Sequence, residues 1–136
     1  SFYETFTWGK EVQVVSNQTY LLLHLAEAAL VTSGTATLEA ALIGTPFVMS
    51  YVAKKLDYYI GRKFVKLPFI GLANIFFHKM GKELIHSEFL QEKVSVEKLL
   101  NDYKNMDKKL FFENSKTLRE YLQNGSSQNV ASIIQN

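Results

Sequence analysis

The stretch from Ala28 to Val52 limits what this chain can fold into more than any other. Ala28-Ala29-Leu30-Val31-Thr32 is a short apolar, β-prone run, and Phe47-Val48-Met49-Ser50-Tyr51-Val52 is another. Between them Ser33-Gly34-Thr35 opens a helical segment that continues through Ile43. Gly44 stops that helix, and Pro46 forbids its continuation because it has no N–H to donate and its ring clashes with the preceding turn. Strands joined through a helix in this way run parallel, by right-handed crossovers. Upstream, Val12-Gln13-Val14-Val15 reads as a third strand, and Ser16-Asn17 reads as the cap of a helix through Ala26. Strands and helices taking turns predict an α/β fold with a partial Rossmann-like parallel sheet.

The second half has a different texture. Lys55 to Lys66 fits a helix with Leu56, Ile60 and Phe64 on one face, ended by Pro68, and Phe69-Ile70-Gly71-Leu72 reads as a short strand. Val96, Leu99, Leu100 and Tyr103 fall at helical spacing behind a Ser95 cap. Leu110, Phe111, Leu118, Tyr121 and Leu122 form a second stripe that Gly125 terminates, and Val130, Ile133 and Ile134 a last short amphipathic piece. The 136 residues favour one domain, with an α/β core over 11–72 and a mostly helical part over 73–136.

Composition narrows the function. With no cysteine, thiol catalysis, zinc thiolates and iron–sulfur clusters are excluded. A net charge of +2 gives no electrostatic case for nucleic acid. No apolar run approaches the roughly 18 residues of a membrane span. Ten Phe, seven Tyr and one Trp are enough to fill a core or line a binding face. The start at Ser1 rather than Met fits a processed chain or a piece of a longer one.

Two segments carry candidate chemistry. Ser33-Gly34-Thr35-Ala36-Thr37-Leu38-Glu39 sits where a strand hands over to a helix, at the carboxyl end of the sheet, where open α/β folds bind ligands. Gly34 would let backbone approach a ligand, the N–H groups of the helix start and the Ser33 and Thr35 hydroxyls suit a phosphate, and the Glu39 carboxylate could accept from two ribose hydroxyls. The residues alone leave a second reading open, in which Gly34 only permits a tight turn and Glu39 is a solvated helix residue. In the helix after Val52, Lys55, Tyr58, Arg62 and Lys66 fall on one stripe. That stripe suits an anionic membrane surface or a phosphorylated lipid, or it is a solvated face with extended lysines. His24, His78 and His86 have no metal spacing; His24 is expected packed in its helix, and His78 and His86 in a surface loop.

The order of these elements resembles the C-terminal half of the lipid-A-disaccharide synthases. The likeness runs from Ala28 to Gln91: Ser33-Gly34-Thr35 to Glu39, Gly44-Thr45-Pro46, the strand Phe47 to Tyr51, Tyr58-Tyr59-Ile60, Arg62-Lys63-Phe64-Val65-Lys66, Ile70-Gly71-Leu72-Ala73-Asn74-Ile75, Glu83-Leu84-Ile85 and Glu88-Phe89-Leu90-Gln91. The resemblance implies an inverting, metal-free glycosyltransferase of the two-Rossmann-domain, GT-B type, with no cofactor, followed here by a helical tail. Its partners would be UDP-2,3-diacylglucosamine and 2,3-diacylglucosamine 1-phosphate, and its products the β-1,6-linked disaccharide 1-phosphate and UDP. Its place would be cytoplasmic, peripheral to the inner membrane of a Gram-negative-type cell. It assigns Ser33, Gly34 and Thr35 to the turn near the diphosphate and Glu39 to the ribose, and puts Asn74, Glu88 and Gln91 at the active-site cleft.

The departures matter as well. Ala73 and Ser87 stand where the family commonly has proline, and Ile75 to Lys82 is longer than the family's short loop there. On this resemblance the family's acceptor-binding N-terminal domain with its aspartate base is expected to lie outside these residues, as is the Gly-Ser-Arg phosphate loop that opens the family's C-terminal domain. The chain is therefore expected to be a fragment that holds no catalytic residue, forms no disaccharide alone and self-associates through exposed apolar surface. The alternatives are another UDP-N-acetylhexosamine transferase or epimerase of the same superfold, and a non-catalytic peripheral membrane or interaction module.

Overall fold

Two strand–helix–strand units share their middle strand in this computed structural model, which describes residues 12–32, 34–52 and 69–123. In chain order the elements are α1 (Thr19–Leu25), β1 (Ala29–Val31), α2 (Gly34–Ile43), β2 (Phe47–Tyr51), α3 (Leu72–Lys79), β3 (Glu88–Leu90), a 3₁₀ turn (Gln91–Lys93), α4 (Val96–Asn105) and α5 (Lys108–Leu122). The sheet has the order β1-β2-β3 and both pairings are parallel. Its register sets Ala29 against Phe47 and Val31 against Met49, then Met49 against Glu88 and Tyr51 against Leu90. The expected α/β class with an open parallel sheet is what the chain adopts.

The alternation of β2 sorts its side chains between two faces. Phe47 and Met49 enter the main core with Val31 from β1, Ala40 and Ala41 from α2, Ala73 and Phe77 from α3, and Phe111 and Leu118 from α5. Phe111 meets Phe47 edge-on, with ring centroids 5.5 Å apart. Val48 points to the other face, where α4 lies and a groove of 480 Å³ remains between Leu30, Val48, Leu99, Leu100 and Tyr103. Leu30 on that face is 61% exposed.

Local chemistry accounts for most element ends. Ser95 caps α4 as expected, its hydroxyl accepting from the Lys98 N–H, and Asp107 caps α5 by accepting from the Leu110 N–H. Gly44 ends α2 with φ +96°, a conformation in which a side chain would be strained. The Thr45 hydroxyl then donates 2.6 Å to the Leu23 carbonyl, tying the end of α1 to the start of β2. At the start of α5 the Lys108 ammonium pairs with Glu27, which lowers the carboxyl pKa and raises that of the lysine.

Several expectations are corrected. Val12–Val15 forms no strand and lies exposed; the third strand is Glu88–Leu90, within a stretch read as helical. The helix after Ser16-Asn17 begins only at Thr19, its flanking residue Gln18 makes no side-chain cap, and Asn17 takes a left-handed φ of +59°. Phe69-Ile70-Gly71 is a bend rather than a strand, and Leu72 opens α3, which absorbs Ile75 and His78 from the supposed loop. Asn74 hides that helix: asparagine scores poorly for helix, and tertiary contacts override the propensity. His24 is exposed on α1, stacked on Tyr20 at 6.2 Å, and not packed. The expected helix over Lys55–Lys66 and the tail after Gln123 lie outside the described residues.

The core geometry predicts a contrast along α5. Leu118 is fully buried, so Leu118→Ala should cost about 2–5 kcal/mol in urea unfolding. Leu122, on the exposed side, should lose under ~1 kcal/mol on the same change.

Candidate functional site

The segment joining β1 to α2 and the segment leading into α3 meet at the sheet's carboxyl edge. A Cβ placed on Gly34 would lie 2.8 Å from the Ile70 carbonyl oxygen, so the close approach this glycine permits is to the 69–71 bend. Thr37, fully buried, donates 2.6 Å to the Gly34 carbonyl and pins the first turn of α2. Thr35 is exposed on that turn. Ser33 lies outside the described residues. The first N–H groups of any helix have no intrahelical acceptor, which is what suits such a turn to an anion.

Behind the bend lies a buried polar knot. Asn74, fully buried in the first turn of α3, uses all four of its hydrogen-bonding positions. Its Oδ1 accepts from the Ile85 and His86 N–H groups at 3.1 and 3.3 Å. Its Nδ2 donates to the His86 carbonyl at 3.0 Å and to Glu88 Oε1 at 2.9 Å. The Glu88 carboxylate also accepts from the Ile70 N–H at 2.9 Å through Oε2 and from the Gly71 N–H at 3.0 Å through Oε1. A carboxylate there complements the positive end of α3.

His86 packs into the same knot. It is 6% exposed, lies 4.5 Å from the Phe47 ring by centroids, and its Nδ1 is 3.1 Å from the Ser87 carbonyl. A carbonyl only accepts, so Nδ1 carries the proton of the neutral ring, and Nε2 is a buried nitrogen without a partner. That edge of the ring presses on Gly71, where a Cβ would come within 2.7 Å of Nε2 and 2.9 Å of Glu88 Oε1. Burial pushes the imidazole pKa down, opposed by its bond to the Ser87 carbonyl and by the charges of Glu88 and Asp102.

Glu39 stands apart from the knot. It lies exposed on α2 and borders a groove of 610 Å³ shared with Asn17, Thr19, Tyr20, Leu23, Leu42 and Ile43. Leu42 and Ile43 follow Glu39 at three and four residues, so that face of α2 is legible in the sequence; Asn17 reads there only as a cap and Thr19 and Tyr20 only as helix, with nothing to bring them beside Glu39. Gln91, directly after β3, holds a left-handed φ of +53° with its amide nitrogen buried and unpartnered. Among the sequence-assigned residues the structure thus joins Gly34, Asn74 and Glu88 and sets Glu39 in a separate groove. Lys55, Tyr58, Arg62 and Lys66 lie outside the described residues. Among the described residues no group of three or more His, Asp or Glu is placed to hold a metal ion.

An open parallel sheet with helices crossing between its strands, and a polar knot joining the 69–71 bend, α3 and the start of β3, defines a Rossmann-like α/β protein. Within that class the model of the lipid-A-disaccharide synthetase family matches residues 4–135, and the chain belongs to this family. It is 48% identical over 133 residues to the lipid-A-disaccharide synthase of Helicobacter acinonychis (strain Sheeba), covering 93% of this chain and 37% of that protein. It is 52% identical over 124 residues to the enzyme of the same name from Campylobacter jejuni (strain RM1221), covering 91% and 34%. Against that of Helicobacter pylori (strain ATCC 700392 / 26695) it is 46% identical over 133 residues, covering 91% and 37%. The chain therefore spans about a third of the length of the curated relatives it matches. No solved structure matches it.

The buried imidazole gives a pH prediction. The unfolded chain binds a proton at about pH 6.5 while the folded chain binds it only at lower pH. Stability is therefore whole above that value and falls as pH drops through it toward the folded pKa. Urea unfolding from about pH 7.5 to about pH 5 should show this fall, and His86→Gln should flatten it. Equal slopes in both proteins would remove the assignment.

Proposed function

We propose that this chain is the UDP-binding part of a lipid-A-disaccharide synthase, a hexosyltransferase of lipid A biosynthesis. The reaction would move 2,3-diacylglucosamine from UDP to the 6-hydroxyl of 2,3-diacylglucosamine 1-phosphate. Family membership supports the activity, and one structural observation supports the role of this part. Glu39 sits one turn inside the helix that starts at the carboxyl end of β1, and it opens on a groove of 610 Å³ between α1 and α2. A nucleoside fits that groove with its ribose hydroxyls donating to the Glu39 carboxylate, while the diphosphate lies toward the start of α2.

The chemistry then divides between halves of the enzyme. The acceptor oxygen attacks the anomeric carbon from the side opposite UDP, and the bond from that carbon to the diphosphate oxygen breaks. The hydroxyl proton goes to a base supplied by the family's acceptor-binding part. Negative charge gathers on the departing diphosphate, and this reading assigns its stabilisation to the N–H groups opening α2 and to the Ser33 and Thr35 hydroxyls. The same reading assigns Asn74, Glu88 and Gln91 to the active-site cleft. The reading calls for no resident metal or cofactor.

The partners follow from the same proposal. The groove beside β1, with Leu30 exposed, suits association with the rest of the enzyme's polypeptide or, in its absence, self-association. No helix among the described residues is long and apolar enough to cross a membrane. Membrane contact is assigned instead to the stripe Lys55, Tyr58, Arg62 and Lys66, which would hold the enzyme peripherally on the cytoplasmic face of the inner membrane.

Two measurements test these statements. Charged hydrogen bonds are worth about 1.5–3 kcal/mol, so Glu39→Ala in the full-length enzyme should weaken UDP by roughly tenfold or more. Unchanged affinity in a folded variant would sink the ribose assignment. Replacing Lys55, Arg62 and Lys66 by Gln should reduce binding to anionic vesicles by about 1 kcal/mol per residue and make what remains less salt-sensitive. If binding and its salt dependence both stay put, the stripe is a solvated face.

A further inference from the structure

Asn74 and Glu88 reach the proposed diphosphate site by an indirect route. The Asn74 side chain is fully buried and all its hydrogen-bonding positions are filled by protein, so it has nothing left to offer a substrate. One of its N–H groups goes to Glu88 Oε1. The two oxygens of that carboxylate hold the N–H groups of Ile70 and Gly71. The Ile70 carbonyl, on the other side of the same bend, lies against Gly34, where even one added carbon would come within 2.8 Å. The contacts form a single line from Asn74 through Glu88 and the 69–71 bend to the first residue of α2.

We infer that Asn74 and Glu88 are positioning residues: they seat the Ile70–Gly71 bend against Gly34 and so fix where the start of α2 presents its N–H groups to a diphosphate. The inference rests on the nucleotide reading above, and it replaces direct substrate contact as the role of these two side chains. The distance a helix start must hold is short, because charge-assisted hydrogen bonds weaken over a few tenths of an ångström. Glu39 reads the other end of the nucleotide from the α1–α2 groove, which shares no lining residue with the knot. Disturbing the bend should therefore damage recognition of the diphosphate and spare recognition of the nucleoside.

Two substitutions push the bend from opposite sides. Glu88→Gln leaves one oxygen where two are used, so an NH₂ must face one of the N–H donors. Gly34→Ala sets a methyl group against the Ile70 carbonyl. In the full-length enzyme, UDP and uridine affinities would be measured by NMR titration for wild type, both single variants and the double variant. Each single change should weaken UDP by roughly tenfold and uridine by less than about twofold. The double variant should match the worse single one, because both act on one element. Should Glu88→Gln fail to fold, Glu88→Asp, which keeps the charge but falls one methylene short, takes its place in the cycle.

Equal loss of UDP and uridine affinity, or no loss of UDP affinity, would overturn the inference, as would effects that multiply in the double variant. A UDP loss confined to Glu39→Ala, with both bend variants normal, would overturn it while leaving the nucleotide reading intact. A wild-type enzyme that binds neither ligand would overturn both.

Discussion

The entry to β3 and the bend before α3 are held together through one buried carboxamide. Asn74 sits where a helix would ordinarily place an apolar residue, and removing it would strand two N–H groups and a carbonyl in the interior and leave Glu88 Oε1 with Gly71 as its remaining donor. Each buried polar group left without a partner costs about 1–3 kcal/mol, so the arrangement is close to all-or-none. Asparagine is a poor helix former in isolation. Here the cost is outweighed because its side chain does for the 85–86 backbone what a neighbouring strand would do.

That bonding also explains how so small a sheet can hold its helices in place. β1 and β3 are three residues each, too short to fix the angle of the helices that follow them by ladder hydrogen bonds alone. Orientation comes instead from side chains that cross between elements: Thr45 to α1, Arg119 to the Leu42 carbonyl at the end of α2, and Glu88 to the entrance of α3. Rigid placement of donors before a ligand arrives is what makes electrostatic stabilisation effective, since no reorganisation is left to perform at the reacting moment.

The sequence made the β1–α2–β2 unit plain, because glycine, proline and apolar runs punctuate it at every boundary. The helices α4 and α5 were equally readable from their stripes and from Ser95. What could not be read was everything that depends on long-range partners. Glu88 resembles any surface glutamate until Ile70 and Gly71 are brought beside it, and a strand of three residues has no period to detect. Val12–Val15 has the right composition for a strand but no neighbour to pair with among the described residues. His86 reads as surface in the sequence, though its ring is buried against Phe47. Glu39 could be placed on its helix from sequence; the groove it borders could not, since half of that groove belongs to α1.

Gly71 and His86 also constrain how a chain of this kind can drift. Any side chain at 71 would collide with the His86 ring edge and with the Glu88 carboxylate. A lineage could therefore enlarge residue 71 only after residue 86 had become small and the Glu88 carboxylate had shifted, and a smaller residue 86 would leave a void beside Phe47. Neither order of change passes through a well-packed intermediate. Relatives with a side chain at 71 should therefore also differ at 86 or 88.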